Sequence, residues 1–200
     1  MKKFTVGAAV LMFAMSACAG HHEEGEQAQA VSVEEQAMMA AMQAAATPGE
    51  PHARLADSAG SFDAAMTIWT GPDSEPMHST MTVERRMDLA GRVLVEDWTG
   101  SVMGAPFVGH SRTGYDNVTK RYWSTWTDNM STGLLVMYGQ WDTATETLQF
   151  EGKNVNPATG AAYTLRSEGS HPAADTELMT MYEDHGQGEY KAMSFTLKRR

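Results

Sequence analysis

Short apolar runs that alternate with polar residues repeat from Ser61 to the C-terminus, separated by brief turn sequences. Alternation with a period of two is typical of β-strands that have one buried face. The pattern predicts ten strands, at 61–70, 77–87, 92–102, 107–115, 121–128, 133–141, 147–154, 162–170, 175–183 and 189–198. No separator offers the dozen or more residues that a parallel crossover requires, so consecutive strands are expected to pair antiparallel.

A meander of so many strands would leave unpaired edges on its first and last strand, and closure into a barrel removes them. We therefore predict an all-β fold, an antiparallel up-and-down barrel of about ten strands over residues 52–200. A barrel of this strand number either holds a small ligand or is filled by side chains.

One turn signature, an aromatic residue followed by Asp-x-x-Thr, occurs at residues 115–119 and again at 141–145. In such a turn the Asp side chain accepts hydrogen bonds from amides further along, and a residue near the left-handed region closes the loop. Lys120 and Glu146 are expected to take that strained position. Residues 156–160 form a third copy, with glycine as the closing residue.

The N-terminus has the features of an export signal. Lys2 and Lys3 precede an apolar run that is too short to span a bilayer, and the run ends in Met-Ser-Ala-Cys at residues 15–18. This sequence resembles the lipobox of bacterial lipoproteins, apart from the Met where that pattern prefers Leu. The resemblance implies that residues 1–17 are a signal peptide and that Cys18 is lipidated. We expect the chain to be held in the bacterial envelope, at the outer membrane facing the periplasm.

Residues 18–51 are interpreted as the lipidated cysteine, an acidic tether and a short helix. Ser32 and Glu35 have the spacing of a capping box. Met38, Met39 and Met42 follow and form an apolar stripe. This stripe predicts a helix of about 14 residues. After Pro51 we expect a single helical turn that ends at Gly60.

The chain carries 25 acidic and 15 basic residues, a formal net charge of −10. Such a charge repels phosphate backbones and anionic lipid surfaces. Nucleic acid is therefore not an expected partner, and membrane attachment would depend on the lipid on Cys18. Because Cys18 is the only cysteine, its acylation leaves no thiol as a nucleophile or zinc ligand. We expect no cofactor.

Four segments rich in glycine and aromatic residues mark the centre of the chain, GRVLV, GAPFVG, GYDNVTK and STWTDNMSTG, at residues 91–95, 104–109, 114–120 and 124–133. They resemble the bacterial family called domain of unknown function 1579, and the resemblance extends over residues 50–199. It implies a lipocalin-like, or calycin-like, barrel and no particular activity. The family and the lipocalins begin the first strand with Gly-x-Trp, whereas this chain has Gly60-Ser61-Phe62.

Strand alternation places Trp126 and Asp128 on one face of the fifth predicted strand. If this face points inward, the carboxylate shares the lumen with the indole ring. Glu96 lies on the same face as Trp98 and would add a second acid, and acids beside apolar walls often mark ligand sites. The alternative is that Asp128 caps the turn that follows it and that Glu96 faces solvent.

We expect the lumen to bind a small, largely apolar molecule, with walls that include Trp126, Trp98, Tyr115, Met130 and Met137. One alternative is a filled barrel that acts as a structural or protein-interaction module of the envelope. Another, by analogy with small haem-carrying barrels, is a metal or haem site at one rim, formed from His171, Asp175, Glu183, Asp184 and His185. An enzyme with Asp128 or Glu96 as general base is disfavoured, because the sequence offers no partner group.

Overall fold

The computed structural model describes residues 31–200, which form two helices followed by ten strands. The helices are α1 (Val33–Ala46) and α2 (Glu50–Asp57). The strands are β1 (Gly60–Ile68), β2 (Met77–Asp88), β3 (Val93–Val102), β4 (Ala105–Asp116), β5 (Arg121–Asp128), β6 (Leu135–Asp142), β7 (Thr147–Val155), β8 (Ala162–Ala173), β9 (Thr176–Asp184) and β10 (Glu189–Arg199). The predicted signal peptide, Cys18 and most of the acidic tether lie outside the described residues.

Each strand pairs antiparallel with its neighbours in sequence, and β1 pairs with β10, so the sheet closes on itself. The closing register runs from Phe62 opposite Arg199 to Ile68 opposite Met193. Closure pairs both edges of the meander, which is the physical reason for the barrel. The predicted antiparallel barrel of ten strands is confirmed, and every strand end lies within three residues of its predicted position.

The connection between β3 and β4 is tighter than predicted. Met103 and Gly104 alone make the turn, with φ angles of 52° and 81°. Positive φ at both positions is the signature of a type I′ hairpin turn, whose twist matches that of the flanking strands. Val102 therefore pairs directly with Ala105, and β4 begins two residues before its predicted start.

The repeated Asp-x-x-Thr turns have the predicted geometry. Asp116 Oδ1 and Asp142 Oδ1 each accept a hydrogen bond of 2.8 Å from the amide two residues further on. Lys120 and Glu146 take the left-handed conformation, with φ of 57° and 52°, and Gly160 does so in the third copy at 71°.

Helix α1 has the predicted capping box, in which the Glu35 amide donates to Ser32 Oγ and the Ser32 amide donates to Glu35 Oε2. The helix has no buried residue. It meets the barrel at its C-terminal end, where Asn117 Nδ2 donates to the Thr47 carbonyl at 2.7 Å. Within residues 31–200, neither helix is long and apolar enough to cross a membrane.

Helix α2 covers one end of the barrel and is longer than the single turn predicted after Pro51. Proline fits the first turn of a helix, because its missing N–H has no intrahelical partner there, so the helix begins at Glu50. Leu55 is buried and packs with Leu94 and Tyr122. We call this the closed end, formed by α2 and the turns at 89–92, 117–120, 143–146 and 174–175; the remaining turns lie at the opposite end.

Phe62 stands where the family pattern has tryptophan, and it is buried at the closed end. Its ring lies 4.9 Å from the guanidinium carbon of Arg85 and 4.7 Å from that of Arg199. Arg199 also donates to the carbonyls of Asp57 and Ala59, at 3.0 and 2.6 Å. The last strand is thereby joined to the end of α2.

Candidate functional site

The barrel contains a cavity of about 370 Å³ that extends along its lumen. Most of the lining side chains are apolar, and they include Met66, Met81, Trp98, Phe107, Trp126, Leu135, Met137, Leu165 and Phe195. Arg54 and Leu55 of α2 line the closed end, whereas Ser131 and Gly133 line the opposite end from the loop at 129–134. The face of β5 that carries Trp126 and Asp128 is therefore the inward one.

Five of the seven predicted ligand-binding residues line this cavity: Glu96, Trp98, Trp126, Asp128 and Met137. Tyr115 and Met130 are not among the lining residues. Tyr115 packs at the closed end on Tyr122 and His52, with ring centroids 4.9 and 5.9 Å apart. Met130 is 55% exposed, because β5 has ended at Asp128 and the chain turns outward.

An aromatic group forms the centre of the apolar wall. The Trp98 ring lies 6.0 Å from Trp126 and 5.4 Å from Phe195, both edge-to-face, and Trp126 stacks on Phe107 at 6.2 Å. Gly109 lies opposite Trp98 in the register of β3 and β4. A Cβ atom at Gly109 would stand 2.5 Å from the Trp126 ring, so the glycine provides the space that this ring occupies.

The two indole N–H groups of this wall differ in their partners. Trp126 Nε1 donates to Asp128 Oδ2 at 2.7 Å. Trp98 is 3% exposed, and its Nε1 has no hydrogen-bond acceptor among residues 31–200. A buried donor without an acceptor costs about 1–3 kcal/mol. Trp98 therefore lines the cavity with an indole donor whose hydrogen bond is not satisfied by the described residues.

Asp128 combines the two roles that the sequence left as alternatives. Its Oδ1 caps the following turn by accepting from the amides of Met130 and Ser131, at 2.8 and 3.1 Å. Its Oδ2 faces the lumen side and accepts from Trp126. Both oxygens are engaged, so Asp128 orients the indole ring and begins the loop.

A buried ion cluster lies in the lumen near the closed end. Arg85 on β2 is the cross-strand partner of Glu96 on β3, and Arg85 Nε lies 2.5 Å from Glu96 Oε1. This contact is an ion pair between the guanidinium and the carboxylate. Glu177 on β9 accepts from Nη1 at 2.5 Å and from Nη2 at 3.2 Å.

The cluster is nearly excluded from solvent, with the side chains of Arg85, Glu96 and Glu177 exposed by 4%, 13% and 11%. Burial lowers the pKa of the Arg85 guanidinium, but the charges of Glu96 and Glu177 outweigh burial and raise this pKa above its ordinary value. Arg85 is therefore a permanent cation. Glu96 lines the cavity together with Arg85 and Glu177, so it is in the lumen and not on the solvent side.

Arg85 and Glu177 were missed as site residues, although their positions carry a signal. Arg85 follows Val83 at a spacing of two, and Glu177 precedes Met179 at the same spacing, so strand alternation puts each charged residue on an apolar face. Charged residues on buried faces are rare unless they are paired. Their pairing could not be read, because β1 and β10 separate the two strands.

A second polar group lies at the opposite end of the lumen. His185 stacks on Tyr163 at 4.3 Å, and its Nε2 lies 2.8 Å from Glu183 Oε2. Tyr190 donates to the same oxygen at 3.1 Å. Burial and the negative charge of Glu183 raise the pKa of Tyr190 to about 12.

The residues considered for a rim site do not come together. His171 and Asp175 lie at the closed end, whereas Glu183, Asp184 and His185 lie at the opposite end, one full length of β9 away. Asp175 instead pairs with Lys198. Within the part of the chain that the structure describes, no three His, Cys, Asp or Glu side chains are grouped so as to hold a metal ion.

Known proteins resemble this chain in sequence and in fold. The family model described as "Protein of unknown function (DUF1579)" matches residues 47–199. Twelve chains among solved structures match, and one is the crystal structure of Rv2717c from M. tuberculosis, which is 13% identical. That alignment covers 76% of this chain and 99% of the other, with a TM-score of 0.54, and at this identity it is evidence for the fold alone. No curated protein matches.

Proposed function

We propose, for a chain that belongs to the DUF1579 family of proteins of unknown function, that the barrel binds a small, largely apolar molecule in its lumen. The observation that carries this proposal is the cavity of about 370 Å³ with its mainly apolar lining. Ligand pockets are typically about 300–1,000 Å³ and apolar, with a few polar groups that orient the ligand. A barrel that served only as a scaffold would be filled by side chains.

The ligand enters, in this proposal, at the end opposite α2. The closed end is covered by Leu55, which is 3% exposed. At the other end the cavity is lined by Ser131 and Gly133 from the exposed loop at 129–134. An outward movement of this loop would widen the entrance without breaking the pairing of β5 with β6.

We also propose that a lipid on Cys18 holds the barrel at the outer membrane, facing the periplasm. The support is the Met-Ser-Ala-Cys sequence after a short apolar run. Replacement Cys18→Ser should abolish metabolic labelling with a fatty acid. Label that persists in this variant would refute the anchor and leave the proposal for the lumen untouched.

Native mass spectrometry tests the binding proposal, with the chain from residue 19 onward, which contains both helices and all ten strands. We expect a one-to-one adduct with at least one member of a panel of single-chain lipids. Haem belongs in the panel, because His171 lines the cavity. If no molecule is retained or added across the panel, the binding proposal fails.

A matched pair of variants distinguishes the lumen from the outer surface. Ser167 is buried and lines the cavity, so Ser167→Phe places a ring in the lumen and should weaken the adduct. Its neighbour Glu168 points to the other face of β8, so Glu168→Phe adds the same ring outside and should leave the adduct unchanged.

A second candidate function is a lipoprotein that contacts another protein through α1. The observation in its favour is an exposed apolar stripe, since Met38, Met39 and Met42 are 58%, 50% and 65% exposed. Exposed methionines are frequent at adaptable binding surfaces. In that case removal of α1 would abolish partner binding, whereas the lumen adduct would persist.

A further inference from the structure

We propose that the ligand carries a protonated amine close to a hydrogen-bond acceptor, and that the lumen discriminates against fatty acids and other apolar carboxylates. This inference rests on the proposed function, because it names the chemical class of the molecule bound in the lumen. Three features of the lining support it: an arginine that is already paired with two glutamates, an excess of negative charge, and an indole donor without an acceptor among the described residues.

The Arg85 guanidinium lies in the lumen near the closed end. Guanidinium groups are the usual partners of ligand carboxylates. Here Glu177 occupies both Nη atoms, at 2.5 and 3.2 Å, and Glu96 Oε1 lies 2.5 Å from Nε. A ligand carboxylate would have to displace a glutamate and leave it buried without its cation, which is strongly unfavourable.

The charges that line the cavity favour a cation. The ion cluster contains two carboxylates and one guanidinium, which leaves one formal negative charge in excess. Along the whole cavity the lining contains two arginines and four carboxylates, a formal net charge of −2 with His171 neutral, from Arg54, Arg85, Glu96, Asp128, Glu177 and Glu183. An ammonium group is attracted by this excess and a carboxylate is repelled, more strongly than in water because of the low local dielectric constant.

Trp98 is the reason for a hydrogen-bond acceptor on the ligand. Its Nε1 is buried without an acceptor among the described residues, and its ring lines the cavity. Glu96 and Trp98 share the inward face of β3, about 6.6 Å apart along the strand. A hydroxyl, ether or carbonyl oxygen near the amine would accept from Trp98 while the amine meets the ion cluster.

A series of ligands with the same alkyl chain tests the headgroup. Dodecylamine, dodecanol and dodecanoate are titrated at neutral pH into the chain from residue 19 onward, and binding is followed by tryptophan fluorescence and native mass spectrometry. We expect dodecylamine to bind at least about tenfold more tightly than dodecanoate. Equal or tighter binding of dodecanoate would overturn the inference and leave lumen binding intact. If none of the three binds, the inference is overturned, and the proposed function is overturned as well when no member of the lipid panel binds.

Replacement Glu96→Gln locates the cation. It removes the excess charge and leaves Arg85 with its bidentate partner Glu177, so the affinity for dodecylamine should fall about tenfold and that for dodecanol should not change. The control is Glu75→Gln, in the exposed turn between β1 and β2, which alters the net charge of the protein equally. Unchanged amine affinity in the folded Glu96→Gln variant would refute this location. The comparison of headgroups needs no variant and stands even if Glu96→Gln does not fold.

An amino alcohol tests Trp98. N-dodecylethanolamine carries a hydroxyl beside its amine, and one hydrogen bond should make it bind about three- to tenfold more tightly than dodecylamine. Trp98→Phe keeps an aromatic side chain and removes the donor, so the ratio of the two affinities should fall to about one, whatever the smaller ring does to both of them. An advantage that survives in Trp98→Phe, or that is absent from the unmodified chain, would overturn the role of Trp98.

Discussion

Arg85 on β2 and Glu177 on β9 form a bidentate ion pair inside the barrel, although β1 and β10 lie between their strands. The pair connects residues 92 positions apart in sequence and is almost excluded from solvent. Each charge is tolerated there because the other is present, since an unpaired ion in such a place is costly. The cluster therefore places charge in the lumen near the closed end, and it links the second strand of the barrel to the ninth.

Loss of the shared cation should destabilise the protein severely. Arg85→Met leaves two buried carboxylates without a partner, and we expect the free energy of unfolding to fall by about 3–5 kcal/mol. Urea denaturation followed by circular dichroism measures this change. The control is Arg86→Met, because Arg86 faces solvent and pairs with the half-exposed Asp97; its loss should cost less than about 1 kcal/mol. An equal loss of unfolding free energy in the two variants would contradict the buried position of the Arg85 ion cluster.

A methyl group at Gly109 should disturb the aromatic wall. Since its Cβ would stand 2.5 Å from the Trp126 ring, Gly109→Ala should cost about 1–3 kcal/mol and shift the tryptophan emission spectrum. Gly71→Ala is the matched control, because a Cβ there meets nothing within 4 Å. A native emission spectrum in Gly109→Ala would mean that the ring is not held as described.

Stability should fall in acid, partly through Asp97. Hydrogen bonds from Arg86 and His110, at 2.6 and 2.8 Å, keep the pKa of its carboxyl below the ordinary value of 3.8. A carboxyl with a lower pKa in the folded state contributes fully above its unfolded pKa, and the contribution is lost as the pH falls through the folded pKa.

Asp97→Asn should therefore lose less stability than the unmodified protein between about pH 5 and pH 2. Urea midpoints at a series of pH values measure the difference, with Asp73→Asn in an exposed turn as control. Parallel acid profiles for Asp97→Asn and the unmodified protein would exclude a contribution from this carboxyl.

The two helices should differ in their importance for folding. Leu55→Ala in α2 removes a side chain that is 3% exposed, and should cost about 2–5 kcal/mol. Deletion of residues 31–46 removes α1, which has no buried residue, and should change the free energy of unfolding by less than about 1 kcal/mol. Thermal unfolding of both variants checks this contrast; a large loss on deletion of α1 would indicate contacts beyond its C-terminal end.

The strands and turns were predictable because their causes are local. Alternation over a few residues marks a strand, and an aspartate with a threonine three positions later marks a turn, as at Asp116 and Asp142. The predictions from the sequence were less successful at positions where the same residues are compatible with two local structures. A single helical turn was predicted after Pro51, although this proline lies within the first turn of α2. Met130 was placed in the lumen although β5 had already ended.

The sequence by itself determined the number and order of the strands, their antiparallel pairing and the left-handed conformation at Lys120 and Glu146, because these depend on residues close together in the chain. Only the tertiary structure decided which face of each strand is inside, since alternation defines two faces and closure of β1 on β10 chooses between them. It also decided the charge of the lumen. Glu177 reaches Arg85 across two intervening strands, and no local pattern encodes a contact between residues so far apart.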